Sequence, residues 1–235
     1  MLTPMQPPSC ACVPKEEASM SLAVELKKTA DSLKAALPAD IFAAIGQSIA
    51  DLKATGITKR AASVGSIIPL PVIKDFDGNE VDLGTLAADG PLVISFYRGG
   101  WCPYCNVELR ALSHALGDIE AAGATVVAIT PESSGNARET AGKNTLGFPV
   151  LIDEGNRYAR ELGIVFSLPE KLRPLYREIG IDLVDWNGDE SYELPLAATY
   201  IVDSNGTVVW AFVDADFTLR TEPANIAAAL RRVLA

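Results

Sequence analysis

Residues 91–116 read PLVISFYRGGWCPYCNVELRALSHAL, and this stretch decides the fold. The run from Pro91 to Tyr97 is apolar and β-branched, as a buried strand requires. Arg98 and the pair Gly99-Gly100 form a turn, and Trp101-Cys102-Pro103-Tyr104-Cys105 opens an amphipathic helix. A C-x-x-C pair on a strand-to-helix turn is the usual setting of a thiol redox centre.

A cysteine is a useful nucleophile only as thiolate, and an unperturbed thiol is mostly protonated at neutral pH. Pro103 suits the first helical position, which puts Cys102 at or beside the N-cap. There the unpaired N–H groups of the first turn and the positive end of the helix dipole favour a thiolate. Cys105 lies about one turn on, within disulfide reach. Arg98 is the nearest cation in sequence. A proline behind Gly99-Gly100-Trp101 is poor core material, which argues against an inert buried pair. Trp101 and Tyr104 read either as packing residues or as the mouth of the site. Glu108 reads either as a solvated helix charge or as a hydrogen-bond partner that fixes the active-site loop, and Arg110 as a solvated charge. A cysteine hydrolase needs a histidine base. The single histidine, His114, is nine residues of helical rise from Cys105, about 13 Å, and does not reach it.

Outward from this centre the elements alternate. A helix over about 103–122 precedes a strand over 124–130, a helix near 136–146, a strand over 148–152 and a helix over 156–162. Parallel βαβ units are the natural solution. Residues 165–196 break the rhythm and read as an insertion over one side of the sheet, with a helix over 169–179 and a loop in WNGDESYELP. Asn205-Gly206, between the runs 198–203 and 207–213, signals a hairpin, and a helix over 222–234 closes the chain. Upstream, Asp77-Gly78 marks another hairpin. Residues 20–60 form a helical extension. Leu22, Leu26, Leu33 and Leu37 share one stripe, Pro38 breaks the run, and Ile41, Ile45, Ile49 and Leu52 resume it. Two such helices must pack on the main domain or on a second copy, and either suits a homodimer. Residues 1–19 carry four prolines and no periodicity, and read as a disordered tail, with Met20 a possible alternative start.

The 235 residues are 49% hydrophobic, enough for one substantial core. With 20 basic and 30 acidic residues the net charge is −10, which argues against binding nucleic acid or an anionic membrane. No apolar run reaches the length of a membrane span, and the N-terminus does not read as a secretory signal, so the cytoplasm is the expected location. The four cysteines fall as Cys10-Ala11-Cys12 and Cys102–Cys105. Zinc held by all four is a rival, but C-x-C in a Pro-rich tail misses the usual knuckle spacing. Cys10 and Cys12 read as incidental tail thiols, with a resolving or metal-binding role the alternative.

FYRGGWCPYCNVELRAL, FPVLID and ATYIVDSNG together resemble the alkyl hydroperoxide reductase/thiol-specific antioxidant (AhpC/TSA) branch of the thioredoxin-like superfamily, most closely its peroxiredoxin-like members with a C-P-Y-C motif. The resemblance runs from about Val64 to the C-terminus. It implies a thioredoxin-like α/β fold over 61–235, a central mixed sheet flanked by helices. The family motif Pro-x-x-x-Thr-x-x-Cys, laid on Phe96-Tyr97, puts its cysteine on Cys105, its threonine on Cys102, its proline on Arg98 and a frequent glutamate on Glu108. In the thioredoxin register Cys102 attacks and Cys105 resolves. The arginine that peroxiredoxins carry before the strand resembling ATYIVD is replaced here by Ala197-Ala198.

The resemblance implies a thiol peroxidase acting on hydrogen peroxide or organic hydroperoxides through a redox-active Cys102–Cys105 disulfide. By the closer register Cys105 attacks, with Arg98, Trp101 and Glu108 in support. The expected partner is a thioredoxin- or glutaredoxin-type reductant, with no metal, flavin or haem. A disulfide reductase with Cys102 as nucleophile and a non-enzymatic redox sensor or scaffold are the alternatives.

Overall fold

The computed structural model describes residues 21–233; Cys10, Cys12 and the tail reading of 1–19 lie outside them. Two helices lead, α1 (Leu22–Ala36) and α2 (Ala39–Ala54), separated at Pro38 as the sequence predicts. A hairpin follows, β1 (Val72–Lys74) and β2 (Glu80–Asp82), turning at Gly78. The Asp75 carboxylate braces that turn by accepting from the N–H groups of Asp77 and Asn79. Asp82 then caps α3 (Leu83–Ala88), accepting from Gly84 and Thr85 N–H, as an N-cap aspartate does.

The alternating core comes next: β3 (Leu92–Phe96), α4 (Pro103–His114), α5 (Leu116–Ala121), β4 (Thr125–Thr130), α6 (Ser134–Asn144), β5 (Val150–Ile152) and α7 (Arg157–Glu161). The single helix expected over 103–122 is two. It breaks at Ala115, two residues before the poor helix former Gly117, and the restart buries Ile119 completely. Among the described residues the insertion is more ordered than the sequence suggests. It contains β6 (Val165–Ser167), a 3₁₀ turn at Glu170–Leu172, α8 (Arg173–Glu178), α9 (Leu183–Asn187) and β7 (Glu193–Pro195). Part of the stretch read as loop is therefore the end of α9 and the strand β7. Antiparallel pairing with β6 satisfies a strand too short to show alternation. The hairpin β8 (Ala198–Val202) and β9 (Val208–Val213) and the helix α10 (Pro223–Val233) close the chain.

The central sheet runs β5-β4-β3-β8-β9. The first three strands are parallel, and β8 and β9 are antiparallel, so the sheet is mixed. This is the thioredoxin-like architecture that the resemblance implies. β3 lies in the middle, and all five of its residues are buried. Leu92, Ile94 and Phe96 face one core cluster, while Val93 and Tyr97 face another that includes α4 and α10.

The N-terminal helices pack on this same chain. Leu22 and Leu26 join the α4 side of the core. The first N–H groups of α1, on Leu22 and Ala23, donate to the Glu222 carboxylate at 3.1 and 2.8 Å, an anion placed at a helix N-terminus. Leu26→Ala is expected to cost about 2–5 kcal/mol in chemical denaturation, as for other buried leucines. A loss under about 0.5 kcal/mol, typical of surface positions, would show that α1 does not belong to the folded core.

Candidate active site

β3 delivers the chain to the site at its C-terminal end, where parallel sheets place their ligands. Tyr97 continues the strand register, its N–H donating to Ile129 O, and the chain then turns sharply through Gly99-Gly100. Gly99 adopts φ +142, a region closed to most side chains. A Cβ on Gly100 would lie 2.0 Å from Thr140 Oγ1, so α6 allows only glycine there. The buried carboxylate of Glu132, just past β4, holds this turn. Its Oε1 accepts from Gly100 N–H at 2.9 Å and from the Thr140 hydroxyl at 3.1 Å. Asn106 supports the other side, donating to Gly100 O and Cys102 O.

Held in this way, Cys102 takes extended backbone angles at the N-cap of α4 with Pro103 behind it, as the sequence predicts. Cys102 and Cys105 are both free thiols and both buried. Arg98 is itself buried, its guanidinium stacked between Trp101 (4.7 Å) and Phe217 (3.9 Å). Its Nη1 is 3.9 Å from Cys102 Sγ, and its Nη2 donates to the Tyr176 hydroxyl at 3.3 Å. Among the described residues no carboxylate pairs with it.

A second arginine serves the other sulfur. Arg220 Nη2 is 3.4 Å from Cys105 Sγ, and Arg220 Nε donates to Glu108 at 2.5 Å, with both side chains almost fully enclosed. Burial pushes the Glu108 carboxyl up to about 7 despite the pull of Arg220. Burial also pushes the Cys102 thiol up, but hydrogen bonding from Cys105 and the charges of Arg98 and Arg220 outweigh it and hold the thiol at about 6. Cys105 goes the opposite way, pushed well up by burial and by its interaction with Cys102. These opposite shifts favour a thiolate on Cys102 and a thiol on Cys105.

Several comparisons bear on this geometry. The AhpC/TSA family model matches residues 64–211, more than half of the chain. The chain belongs to the AhpC/TSA family. A chloroplastic peroxiredoxin Q of Triticum aestivum is 31% identical over 131 residues, covering 56% of this chain and 60% of that protein. A putative chloroplastic peroxiredoxin Q of Oryza sativa subsp. indica is 26% identical over 213 residues, or 89% of this chain and 81% of the other. The chain thus spans 60% of the length of the wheat relative. Among solved structures, the peroxidoxin BcpB of Mycobacterium tuberculosis superposes with a TM-score of 0.56 at 19% identity, covering 73% of this chain and 97% of that one. Reduced Prx3 of Vibrio vulnificus, in complex with hydrogen peroxide, gives 0.58 at 16% identity over 74% and 98% of the two chains. At these identities the likeness shows the fold.

In this AhpC/TSA chain the residues singled out from sequence converge. Arg98, Trp101, Cys102, Cys105 and Glu108 lie within one small volume, while His114 is exposed on the far end of α4. Trp101 and Tyr104 line the cavity over Cys102 and also pack edge-on against Tyr176 and Phe217. Glu108 is no solvated charge, because it binds Arg220. Arg110 donates to Asn144 Oδ1. Sequence reasoning missed Glu132, Tyr176, Phe217 and Arg220. Glu132 carried a usable signal, its place just after a parallel strand. Tyr176 lies inside the insertion, and Arg220 lies in an aperiodic loop 115 residues from Cys105, so nothing local marks either one.

Arg98→Met keeps the apolar stem of the side chain and removes its charge. It is expected to raise the midpoint of thiolate absorbance from about 6 by about 1–3 pH units, the usual effect of losing an adjacent opposite charge. An unmoved midpoint would show that Arg98 does not hold the thiolate.

Proposed function

We propose that this chain is a thiol peroxidase in which Cys102 attacks the hydroperoxide and Cys105 resolves. Membership of the AhpC/TSA family and the names of the peroxiredoxin Q relatives support the reaction class. The observation that carries the choice of sulfur is the pairing of charges. Arg220 already has a carboxylate partner in Glu108, whereas among the described residues the buried Arg98 has the Cys102 sulfur and no carboxylate to neutralise it. An isolated buried charge is costly, so the thiolate belongs beside Arg98. The cavity favours the same sulfur, because Cys102 lines it and Cys105 does not. The peroxiredoxin register would put the attack on Cys105. The site's electrostatics favour the thioredoxin register, within the same reaction.

The Cys102 thiolate attacks the terminal oxygen and the O–O bond breaks. The departing alkoxide or hydroxide takes up a proton, with Arg98 and Tyr176 lining the cavity as hydrogen-bond donors for it. Cys102 is left as a sulfenic acid. The Cys105 thiol then attacks that sulfur, water leaves, and the Cys102–Cys105 disulfide forms. A thioredoxin- or glutaredoxin-type dithiol supplies two electrons and two protons to restore the pair. Because both sulfurs are buried, that exchange requires the first turn of α4 to open. The division into a tail (1–19), a helical extension (20–60) and a thioredoxin-like domain (61–235), the homodimer and the cytoplasmic location belong to the same proposal. No helix among the described residues is long and apolar enough to cross a membrane.

Single-cysteine variants test this reading. Cys105→Ser is expected to react with peroxide once and stop with one added oxygen by intact mass, losing turnover. Cys102→Ser is expected to gain no oxygen on the same timescale. The reverse pattern would return the attack to Cys105. The rate with peroxide is expected to rise with pH through about 6, as the Cys102 thiolate forms.

A further inference from the structure

The cavity over Cys102 has a chemically mixed lining. Cys102, Arg98 and Tyr176 line it, and the rest of its wall is largely apolar. That wall includes Phe42, Ile45 and Ile49 of α2 and Ile179 and Ile181 of the insertion. The three α2 residues recur at helical spacing and are only half-buried. They form one face of α2, on which Ile45 packs against the insertion's cluster around Leu172 and Tyr176 without the face being fully buried. The space measures about 130 Å³, close to the ~150 Å³ of an engineered cavity that takes up benzene. α2 ends before residue 64, where the family-model match begins, so the α2 part of this wall lies outside the matched region.

We propose that α2 and the insertion form a tail subsite that selects hydroperoxides bearing a compact apolar group, of about the size of an aromatic ring, over hydrogen peroxide. Phe42, Ile45 and Ile49 are the residues that set this preference. The inference rests on the proposed thiol peroxidase reading. The peroxide group sits within reach of the Cys102 sulfur, and the carbon substituent lies against the apolar wall. Hydrogen peroxide has nothing to place there. The wall is fixed on both sides, since Lys53 of α2 pairs with Asp216 at 3.0 Å, and Lys171 of the insertion with Asp51 at 3.3 Å.

Gly46 offers a direct test. It lines the same cavity within α2, and a Cβ built there meets no atom within 4 Å. At this exposed lining position a larger side chain meets no steric conflict and is expected to narrow the cavity, and replacing a helical glycine favours the helix. The full chain is assayed with dithiothreitol as reductant, and kcat/KM is measured for cumene hydroperoxide and for hydrogen peroxide. The parent is expected to favour cumene hydroperoxide by about tenfold or more, the scale of discrimination by apolar pocket contacts, and Gly46→Leu to lower that ratio by about tenfold. Gly46→Ala, a smaller intrusion, shifts the ratio in the same direction and serves if the leucine variant does not fold. A parent ratio near one, or a ratio that both variants leave within about twofold of the parent, overturns the tail subsite. Consumption of neither peroxide overturns the proposed function instead, which separates the two failures.

Discussion

Arg98 is a guanidinium held between two aromatic rings with no carboxylate among the described residues to neutralise it, and much of the surrounding structure follows from accommodating that charge. In a dry site a lone cation is destabilising unless an anion or strong acceptors surround it. Here the π-faces of Trp101 and Phe217 and the Tyr176 hydroxyl supply part of the compensation. The Cys102 sulfur supplies the rest when it is ionised. The fold therefore stabilises a thiolate by presenting a buried positive charge that would otherwise lack a partner. The N-terminus of α4 adds to that field.

The rest of the site keeps this pairing in register. Glu132 ties the Gly100 turn to α6, and the close approach of Thr140 leaves no room for a side chain at Gly100. Asn144 donates to Asn106, which in turn donates to the carbonyls of Gly100 and Cys102, so the turn and the first turn of α4 share one hydrogen-bond network. The insertion contributes Tyr176, and the loop before α10 contributes Phe217 and Arg220. Four separate stretches of chain thus meet at two sulfur atoms. The Arg220–Glu108 pair has a different task from Arg98. Arg220 is engaged by Glu108, so it can flank Cys105 without demanding a second thiolate, which suits the resolving role proposed for Cys105.

The legible parts were those with local chemistry. The β3–turn–α4 unit could be read from a largely apolar run of seven residues, two glycines and a proline, because backbone preference and burial agree there. The hairpins at Gly78 and Gly206 were legible for the same reason. The insertion was legible only in part. β6 and β7 are each too short to show a period, and they exist because they pair with each other across the intervening helices. At the site, Cys102, Cys105, Arg98, Trp101 and Glu108 could be named because they sit within eleven positions of one another. Arg220, Tyr176 and Glu132 could not, because tertiary packing alone brings them in. Arg220 also shows how the chain does without an arginine at Ala197-Ala198. It follows β9, whose Val213 pairs with Ala198, so a cation reaches Cys105 from the same open end of the closing hairpin.

The central claim is that the resident anion sits on Cys102 and is held there by Arg98. Reduced protein treated with limiting iodoacetamide across a pH series, with the labelled sulfur located by peptide mass, tests it most directly. The account predicts that Cys102 is alkylated first, with a reactivity midpoint near pH 6, and that Cys105 stays unlabelled through neutral pH. Labelling that begins on Cys105, or a Cys102 midpoint near that of an ordinary thiol, would contradict it.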